Sequence, residues 1–133
     1  MDTARTILLV DDDPTLSTVL AAVLRSGGYT VLTAASGAEA LELLRSQSVS
    51  VVISDLHMPK MDGVALIAQI TLNQLTANAR PIPAVLITGS GEFEDIHANA
   101  PGVDAILIKP IVRDTLLRTL ERLLASVQDK DIA

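Results

Sequence analysis

The sequence has no cysteine and only two aromatic residues, Tyr29 and Phe93. Without cysteine there is no disulfide framework, and with so few rings a base-stacking platform or an aromatic cage is not expected. Basic residues are also scarce, because 10 Lys and Arg stand against 16 Asp and Glu and the net charge is -6. This charge argues against direct binding of nucleic acid, against attraction to an anionic membrane and, by default, against acidic partners.

A long apolar run is lacking at the N-terminus. The run from Ile7 to Val10 has four residues, which is too short for a signal peptide or a membrane span. The 133 residues and 14.0 kDa predict one domain, with a core from about 6 to 127 and a polar tail at 128–133. These features together predict a cytoplasmic protein that does not contact the membrane.

The chain shows a regular alternation of two patterns. Short β-branched runs alternate with segments of helical periodicity, which is typical of βαβ units around a parallel sheet. Helix starts are marked by Asp13 before Pro14 and by the spacing of Ser36 and Glu39, which fits a capping box. The fourth of five predicted helices is short, from about Glu92 to Ala100. The predicted strands are residues 6–10, 30–34, 51–54, 84–88 and 105–108.

Five strands and five helices in strict alternation predict a doubly wound, flavodoxin-like α/β fold with strand order 2-1-3-4-5. Ligands of such sheets bind beyond the carboxyl ends of the strands at the switch point, here between strands 1 and 3. Asp11 and Asp12 follow strand 1, and Asp55 follows strand 3. Because adjacent strands lie about 4.8 Å apart, these carboxylates can share one divalent ion, and such oxygen ligands favour Mg²⁺.

Two further polar residues stand at the ends of neighbouring strands. Thr88 ends strand 4, one strand spacing from Asp55, and Lys109 follows strand 5 at about two spacings, roughly 9.6 Å. A short hydroxyl nearby and a long ammonium farther away can converge on a tetrahedral anion attached to Asp55. Asp13 is better explained as the cap of the first helix.

The same residues carry a family resemblance. The stretches ILLVDDDP, VVISDLHMPKMDG, VLITGS and ILIKP occur in this order at the predicted strand ends. They resemble the receiver domain of two-component response regulators, the CheY-like family, from about Thr6 to Val127. The start methionine and the polar tail favour a stand-alone receiver over a piece of a larger regulator or hybrid kinase.

The resemblance implies a role for each acidic residue of the site. Asp55 would be the phosphoacceptor that takes a phosphoryl group from a phosphohistidine on a histidine kinase or phosphotransfer protein. Mg²⁺ would be bound by Asp12, by the Asp55 carboxylate and by the backbone carbonyl of His57. Asp11 would act on the metal through a bound water.

The resemblance also implies a switch. Lys109 and Thr88 would contact the phosphoryl oxygens, and their movement would shift a face toward an unknown downstream protein. That face is built by the predicted fourth helix, strand 5 and the fifth helix. Many members carry an aromatic residue three positions before the lysine, but here that position is Ile106, so the aromatic half of the switch is not expected. Such a chain is a signalling domain that catalyses only its own phosphorylation and dephosphorylation; its oligomeric state is not indicated.

Two other functions are compatible with parts of the pattern. The segment from Asp11 to Thr15 also fits the D-x-D-x-T motif of haloacid-dehalogenase-type phosphohydrolases, with Asp11 as nucleophile and Asp13 as general acid/base. Thr88 and Lys109 match later motifs of that family in order. Against this reading, Asp55 would have no role and no acidic pair follows Lys109 on a strand. The third possibility is a receiver-like module that binds partners without being phosphorylated.

Overall fold

One parallel sheet of five strands forms the centre of the molecule. The computed structural model describes residues 5–89 and 100–132, with side chains described up to residue 125. The strand order is β2-β1-β3-β4-β5, which confirms the predicted topology. Asp55 is the last residue of its strand rather than the residue after it. The strands are β1 (Thr6–Val10), β2 (Thr30–Ala34), β3 (Val51–Asp55), β4 (Ala84–Thr88) and β5 (Ala105–Ile108).

Four helices lie within the described ranges: α1 (Pro14–Ser26), α2 (Gly37–Ser46), α3 (Gly63–Thr76) and α4 (Arg113–Ile132). The predicted short helix near Glu92 to Ala100 falls almost wholly outside these ranges, so α4 corresponds to the predicted fifth helix. Residues expected to form a polar tail are helical as far as Ile132. The reason is that no glycine or proline interrupts the sequence after Arg113.

Capping side chains fix where the helices begin. The Asp13 carboxylate accepts hydrogen bonds from the first-turn N–H groups of α1, Ser36 does the same for α2, and Asp62 does the same for α3. The caps of α1 and α2 were predicted from their sequence signatures and are confirmed. Because α1 starts so soon after β1 ends, Asp11 and Asp12 lie in a tight connection beside the sheet.

The sheet is buried on both faces. Alternate residues of β1 show this, because Ile7 and Leu9 pack with α1 and α4, while Leu8 and Val10 pack with α2 and α3. The buried apolar residues of α1 are Leu20, Ala21 and Leu24, and Val19, at the margin of that stripe, is 54% exposed. No helix within the described ranges combines the length and apolar character that crossing a bilayer requires.

Candidate functional site

Three carboxylates meet at the carboxyl ends of two adjacent strands, β1 and the central strand β3. Strands β1 and β3 are adjacent, with Val10 opposite Ser54, so Asp11 and Asp55 follow in register on neighbouring strands. Oxygen atoms of Asp11, Asp12 and Asp55 all lie within 4.8 Å of one another. The three acidic residues that the sequence assigned to one site are therefore brought together by the fold.

These carboxylates differ in their surroundings. Asp11 is 4% exposed and Asp55 is 6% exposed, whereas Asp12 is open to solvent. Burial raises the pKa of Asp11; the N–H of Asp13, which donates to Asp11 Oδ1 at 2.9 Å, lowers that pKa in part, and the charge of Asp55 raises it again. Two buried carboxylates this close repel each other, so a positive charge between them would be stabilising.

The donor set fits a hard divalent cation. All three side chains offer oxygen, and one or two carboxylates completed by water are the usual environment of Mg²⁺. Asp55 Oδ1 is fully buried and accepts no hydrogen bond. A buried acceptor of this kind, in a group of three carboxylates, is suited to a metal ion.

A lysine from the edge of the sheet reaches this group. Lys109 Nζ lies 3.1 Å from Asp55 Oδ1, an ion pair in which the lysine side chain is 37% exposed and the aspartate side chain 8% exposed. The backbone N–H of Lys109 donates to the carbonyl of Thr88 at 2.8 Å, and the Lys109–Pro110 peptide is cis. The ammonium therefore offsets part of the negative charge of the site.

Thr88 stands beside the acidic group but its hydroxyl is engaged elsewhere. In the pairing of β3 with β4, Asp55 lies opposite Ile87, so Thr88 is one residue farther along the strand. Thr88 is completely buried, and its hydroxyl donates to the carbonyl oxygen of Gly89 at 3.0 Å. A Cβ atom added at Gly89 would meet no described atom within 4 Å. None of the described residues therefore packs against the Cβ position of Gly89.

Gly63 has a packing role that the sequence reasoning missed. A Cβ atom at this position would lie 2.5 Å from the Asp55 carbonyl oxygen and 2.7 Å from Leu86 Cδ1. The N–H of Gly63 donates to the Leu56 carbonyl at 2.8 Å, so the first residue of α3 lies directly against the strand end that carries Asp55. A glycine at the first helical position, directly after the capping Asp62, is a sequence signal for such close packing.

The structure also locates His57 and Ile106, two other residues named from the sequence. His57 is exposed in the turn after β3. Ile106 stands three residues before Lys109, at the position where many receiver domains carry an aromatic residue. It is partly buried and packs against a cluster that contains Ile67 and Leu86. Ile106 therefore belongs to the apolar packing of the sheet edge.

An open sheet of this order, with acidic residues and a lysine gathered at its carboxyl edge, defines a class of α/β signalling domain. Residues 7–121 match the response regulator receiver domain family. Because this match covers most of the chain, the chain belongs to that family.

Named relatives agree with this assignment. The transcriptional regulatory protein GlrR of Escherichia coli K12 is 41% identical over 116 residues, which is 86% of this chain and 25% of that protein. Protein PilH of Pseudomonas aeruginosa is 33% identical over 120 residues, 90% of this chain and 97% of that protein. The crystal structure of response regulator protein TrrA from Thermotoga maritima, in complex with Mg²⁺-BeF, superposes with a TM-score of 0.78 at 26% identity, covering 90% of this chain and 99% of that one. The chain thus spans about a quarter of the length of GlrR and nearly the whole of PilH.

Proposed function

We propose that the chain is the phosphoacceptor receiver of a two-component phosphorelay and that Asp55 takes the phosphoryl group. The observation that supports this most directly is the state of Asp55 Oδ1, which is buried, accepts no hydrogen bond and lies 3.1 Å from the Lys109 ammonium. A carboxylate held in place at a strand end can act as a nucleophile, and the Lys109 ammonium beside it can balance the charge that the reaction brings.

The donor would be a phosphohistidine on a partner histidine kinase or phosphotransfer protein. An oxygen of Asp55 forms the new P–O bond while the P–N bond to the partner's imidazole breaks, and the imidazole nitrogen keeps the electron pair of that bond. The strand end holds the nucleophile in place, and Gly89, which has no side chain, adds no bulk beside it. The chain itself supplies position and charge rather than a proton.

The incoming phosphoryl group carries about -1.5 to -2 charges into a site with three carboxylates, of which the Asp55 carboxylate gives up its own charge when the P–O bond forms. Lys109 can follow this charge, because its flexible stem lets the ammonium move from Asp55 to the phosphoryl oxygens. Asp12, the Asp55 carboxylate and the His57 carbonyl would hold Mg²⁺, with Asp11 acting through a water. Bound there, Mg²⁺ would add positive charge that favours approach of the donor.

Thr88 would convert the reaction into a change of surface. Its hydroxyl now donates to the Gly89 carbonyl at 3.0 Å, and a phosphoryl oxygen on Asp55 would offer a stronger, charge-assisted acceptor. Turning toward that acceptor would release the Gly89 carbonyl at the end of β4. The output would be a population shift of the surface near β4 and β5 that a downstream protein recognises.

An apolar surface beside Lys109 fits the phosphodonor protein. Val19 on α1 and Val112 before α4 are 54% and 58% exposed, and Ile108 is 43% exposed. A cavity of about 300 Å³ between α1 and the start of α4 is lined by Val19, Lys109 and neighbouring apolar residues. A helix of the donor lying on this surface would bring its phosphohistidine close to Asp55.

The test is intact-mass analysis after incubation with Mg²⁺ and acetyl phosphate. We expect one phosphoryl adduct that is labile to hydroxylamine, needs Mg²⁺ and is lost in Asp55→Asn. Asp62→Asn is the matched control, because Asn retains the helix cap and the residue lies outside the acidic group. An adduct that persists in Asp55→Asn, or that is lost equally in Asp62→Asn, would contradict the assignment.

The same experiment distinguishes the phosphohydrolase hypothesis. In that case phosphate is released catalytically and Asp11→Asn abolishes the release, whereas a receiver retains Asp55 as its site of modification. The Asp13 carboxylate, which would be the acid/base of a phosphohydrolase, accepts the N–H groups of Thr15 and Leu16 at the start of α1. This capping role gives no support to acid/base catalysis. A chain that forms no adduct and releases no phosphate from acetyl phosphate would favour the binding-only module.

A further inference from the structure

A large groove lies at the end of the sheet opposite Asp55. Its volume is about 1010 Å³, and it runs between α2 and α3 toward the segments that lead into β1, β3 and β4. Because all strands are parallel, these segments are at the amino edge of the sheet, and the acidic site is at the carboxyl edge. Most of the lining therefore lies away from the acidic group, although Met61, in the turn between Asp55 and α3, also belongs to it.

The charge of the groove is opposite to that of the whole chain. Its lining contains Arg5, Arg45 and Arg80 and, among the described residues, no Asp or Glu. The chain as a whole has 16 acidic and 10 basic residues. Arg45 forms an exposed pair with Glu42 at 3.8 Å, and Arg5 and Arg80 also have interaction partners. An exposed pair of this kind contributes little and is readily exchanged for another carboxylate.

Apolar side chains form the floor beneath these arginines. Leu41 and Leu44 come from α2, Ile70 from α3 and Ile82 from the connection before β4. Ile70 is 5% exposed and the other three are partly buried. An apolar floor with a cationic rim is the surface that an amphipathic peptide with acidic flanks complements.

We infer that this groove docks an acidic amphipathic segment of a partner protein. The arginines come from separate segments, because Arg5 leads into β1 and Arg80 into the connection before β4. Strands β1 and β4 are two strand spacings, roughly 9.6 Å, apart. A spread of cations suits carboxylates distributed along a peptide, whereas one compact phosphate is bound by donors that converge. The remaining acidic surface repels such a segment and so restricts it to this groove.

This docking does not depend on phosphorylation. The segment would occupy the amino edge of the sheet while a phosphodonor reaches Asp55 at the carboxyl edge, so both can be bound at once. The groove would hold a partner both before and after phosphotransfer. Phosphorylation of Asp55 would change the surface near β4 and β5 that is presented to the bound partner.

The test is titration of the ¹⁵N-labelled chain with a helical peptide of about 18 residues that has leucine at i, i+3, i+4 and i+7 and glutamate elsewhere. We expect chemical-shift changes at groove amides.

Arg45→Glu/Arg80→Glu should weaken binding at least about tenfold. Arg118→Glu/Arg122→Glu reverses the same number of charges on exposed positions of α4 outside the groove, and it should change affinity less than about twofold. Arg45→Gln/Arg80→Gln, which adds no negative charge, should weaken binding in the same direction.

Four outcomes would overturn the inference. They are equal weakening in the two Glu double variants, shift changes confined to another surface, equal binding of a peptide with glutamine in place of glutamate, and no shift changes at about 1 mM peptide. A further control is inorganic phosphate. If phosphate moves the groove amides as much as the peptide does, the groove is a compact-anion site and the peptide inference is wrong.

Discussion

The two sides of the acidic site are built differently. On the carboxylate side, Asp11 and Asp55 stand at the ends of the adjacent strands β1 and β3, which are buried almost throughout. On the lysine side, Lys109 follows β5, an edge strand whose residues are partly buried and whose last residue, Ile108, is 43% exposed. Gly63 is packed against the carboxylate side, whereas a Cβ atom at Gly89 on the other side would meet none of the described residues within 4 Å.

This difference in packing explains how one site can both react and signal. A nucleophile is most effective when close packing holds it in one place. Groups that report the reaction must instead have two positions of similar energy, which requires looser packing. Asp55 meets the first requirement, and Lys109, which follows the partly buried edge strand, meets the second. Thr88 is completely buried, but its hydroxyl can exchange the Gly89 carbonyl for another acceptor.

The largest expected effect comes from Gly63→Ala. The added Cβ would collide with the Asp55 carbonyl oxygen and with Leu86, at 2.5 and 2.7 Å. Because the backbone of β3 has no room to move, we expect a loss of about 3 kcal/mol in the free energy of unfolding, measured in urea.

The matched control for this prediction is Gly89→Ala. Its Cβ meets no described atom within 4 Å, so we expect a change below about 0.5 kcal/mol. If both variants lose the same stability, the two sides of the site do not differ in packing and the comparison fails.

The next effect concerns the affinity for Mg²⁺. Lys109→Met removes the ammonium that lies 3.1 Å from Asp55 Oδ1, and with it a positive charge that competes with a metal cation. Calorimetric titration should show Mg²⁺ binding about fivefold tighter, the equivalent of about 1 kcal/mol for a partly exposed ion pair. Arg113→Met is the control, because Arg113 bonds Ser26 at 3.3 Å and pairs with Asp114 rather than with the acidic group. An affinity that is unchanged in Lys109→Met would contradict the role of the ion pair.

Much of the fold and of the carboxylate side follows from sequence because both rest on strong local signals. Continuous apolar runs identify strands buried on two faces, and the polar residue that ends each run lies at the sheet edge. Asp11 and Asp55 were found in this way. Asp11 and Asp55 lie close together because β1 and β3 are adjacent in the sheet, and this strand order confirms the predicted switch point between them.

The remaining features depend on three-dimensional contacts that no local pattern encodes. The direction of the Thr88 hydroxyl is set by the position of the Gly89 carbonyl, and the tight contact of Gly63 by the angle at which α3 meets β3. The basic groove is a further case, because Arg5, Arg45 and Arg80 are far apart in a chain of negative net charge. Average charge predicted no attraction for acidic partners, whereas the fold collects these arginines around one groove.

A smaller effect is expected from Asp11→Asn in metal-free buffer. Burial raises the pKa of Asp11, so the folded protein binds this proton more readily than the unfolded chain does. Stability therefore falls as pH rises through the range between the ordinary and the raised pKa, and it is recovered as pH falls. At pH 7 the uncharged Asn should stabilise the protein by about 1 kcal/mol, and this gain should shrink as pH is lowered.

Thermal unfolding at several pH values checks this prediction. Asp12→Asn is the control, and because Asp12 is exposed its gain should be smaller. A gain for Asp11→Asn that grows as pH falls would show that the sign is wrong.

The smallest effect is expected at Lys60, in the turn between Asp55 and α3. Its φ of 70° lies in the left-handed region, which disfavours a lysine but not a glycine. Lys60→Gly should therefore stabilise the protein by about 0.5 kcal/mol in urea unfolding, the relief of strain being partly offset by the greater freedom of glycine in the unfolded chain. Asn78 has a φ of 53° outside the site, and because asparagine tolerates this region, Asn78→Gly should bring no gain. A gain at both positions would mean that backbone strain is general, whereas a gain at Lys60 alone would place it in the turn that follows the nucleophile, on the side of the site that is held fixed.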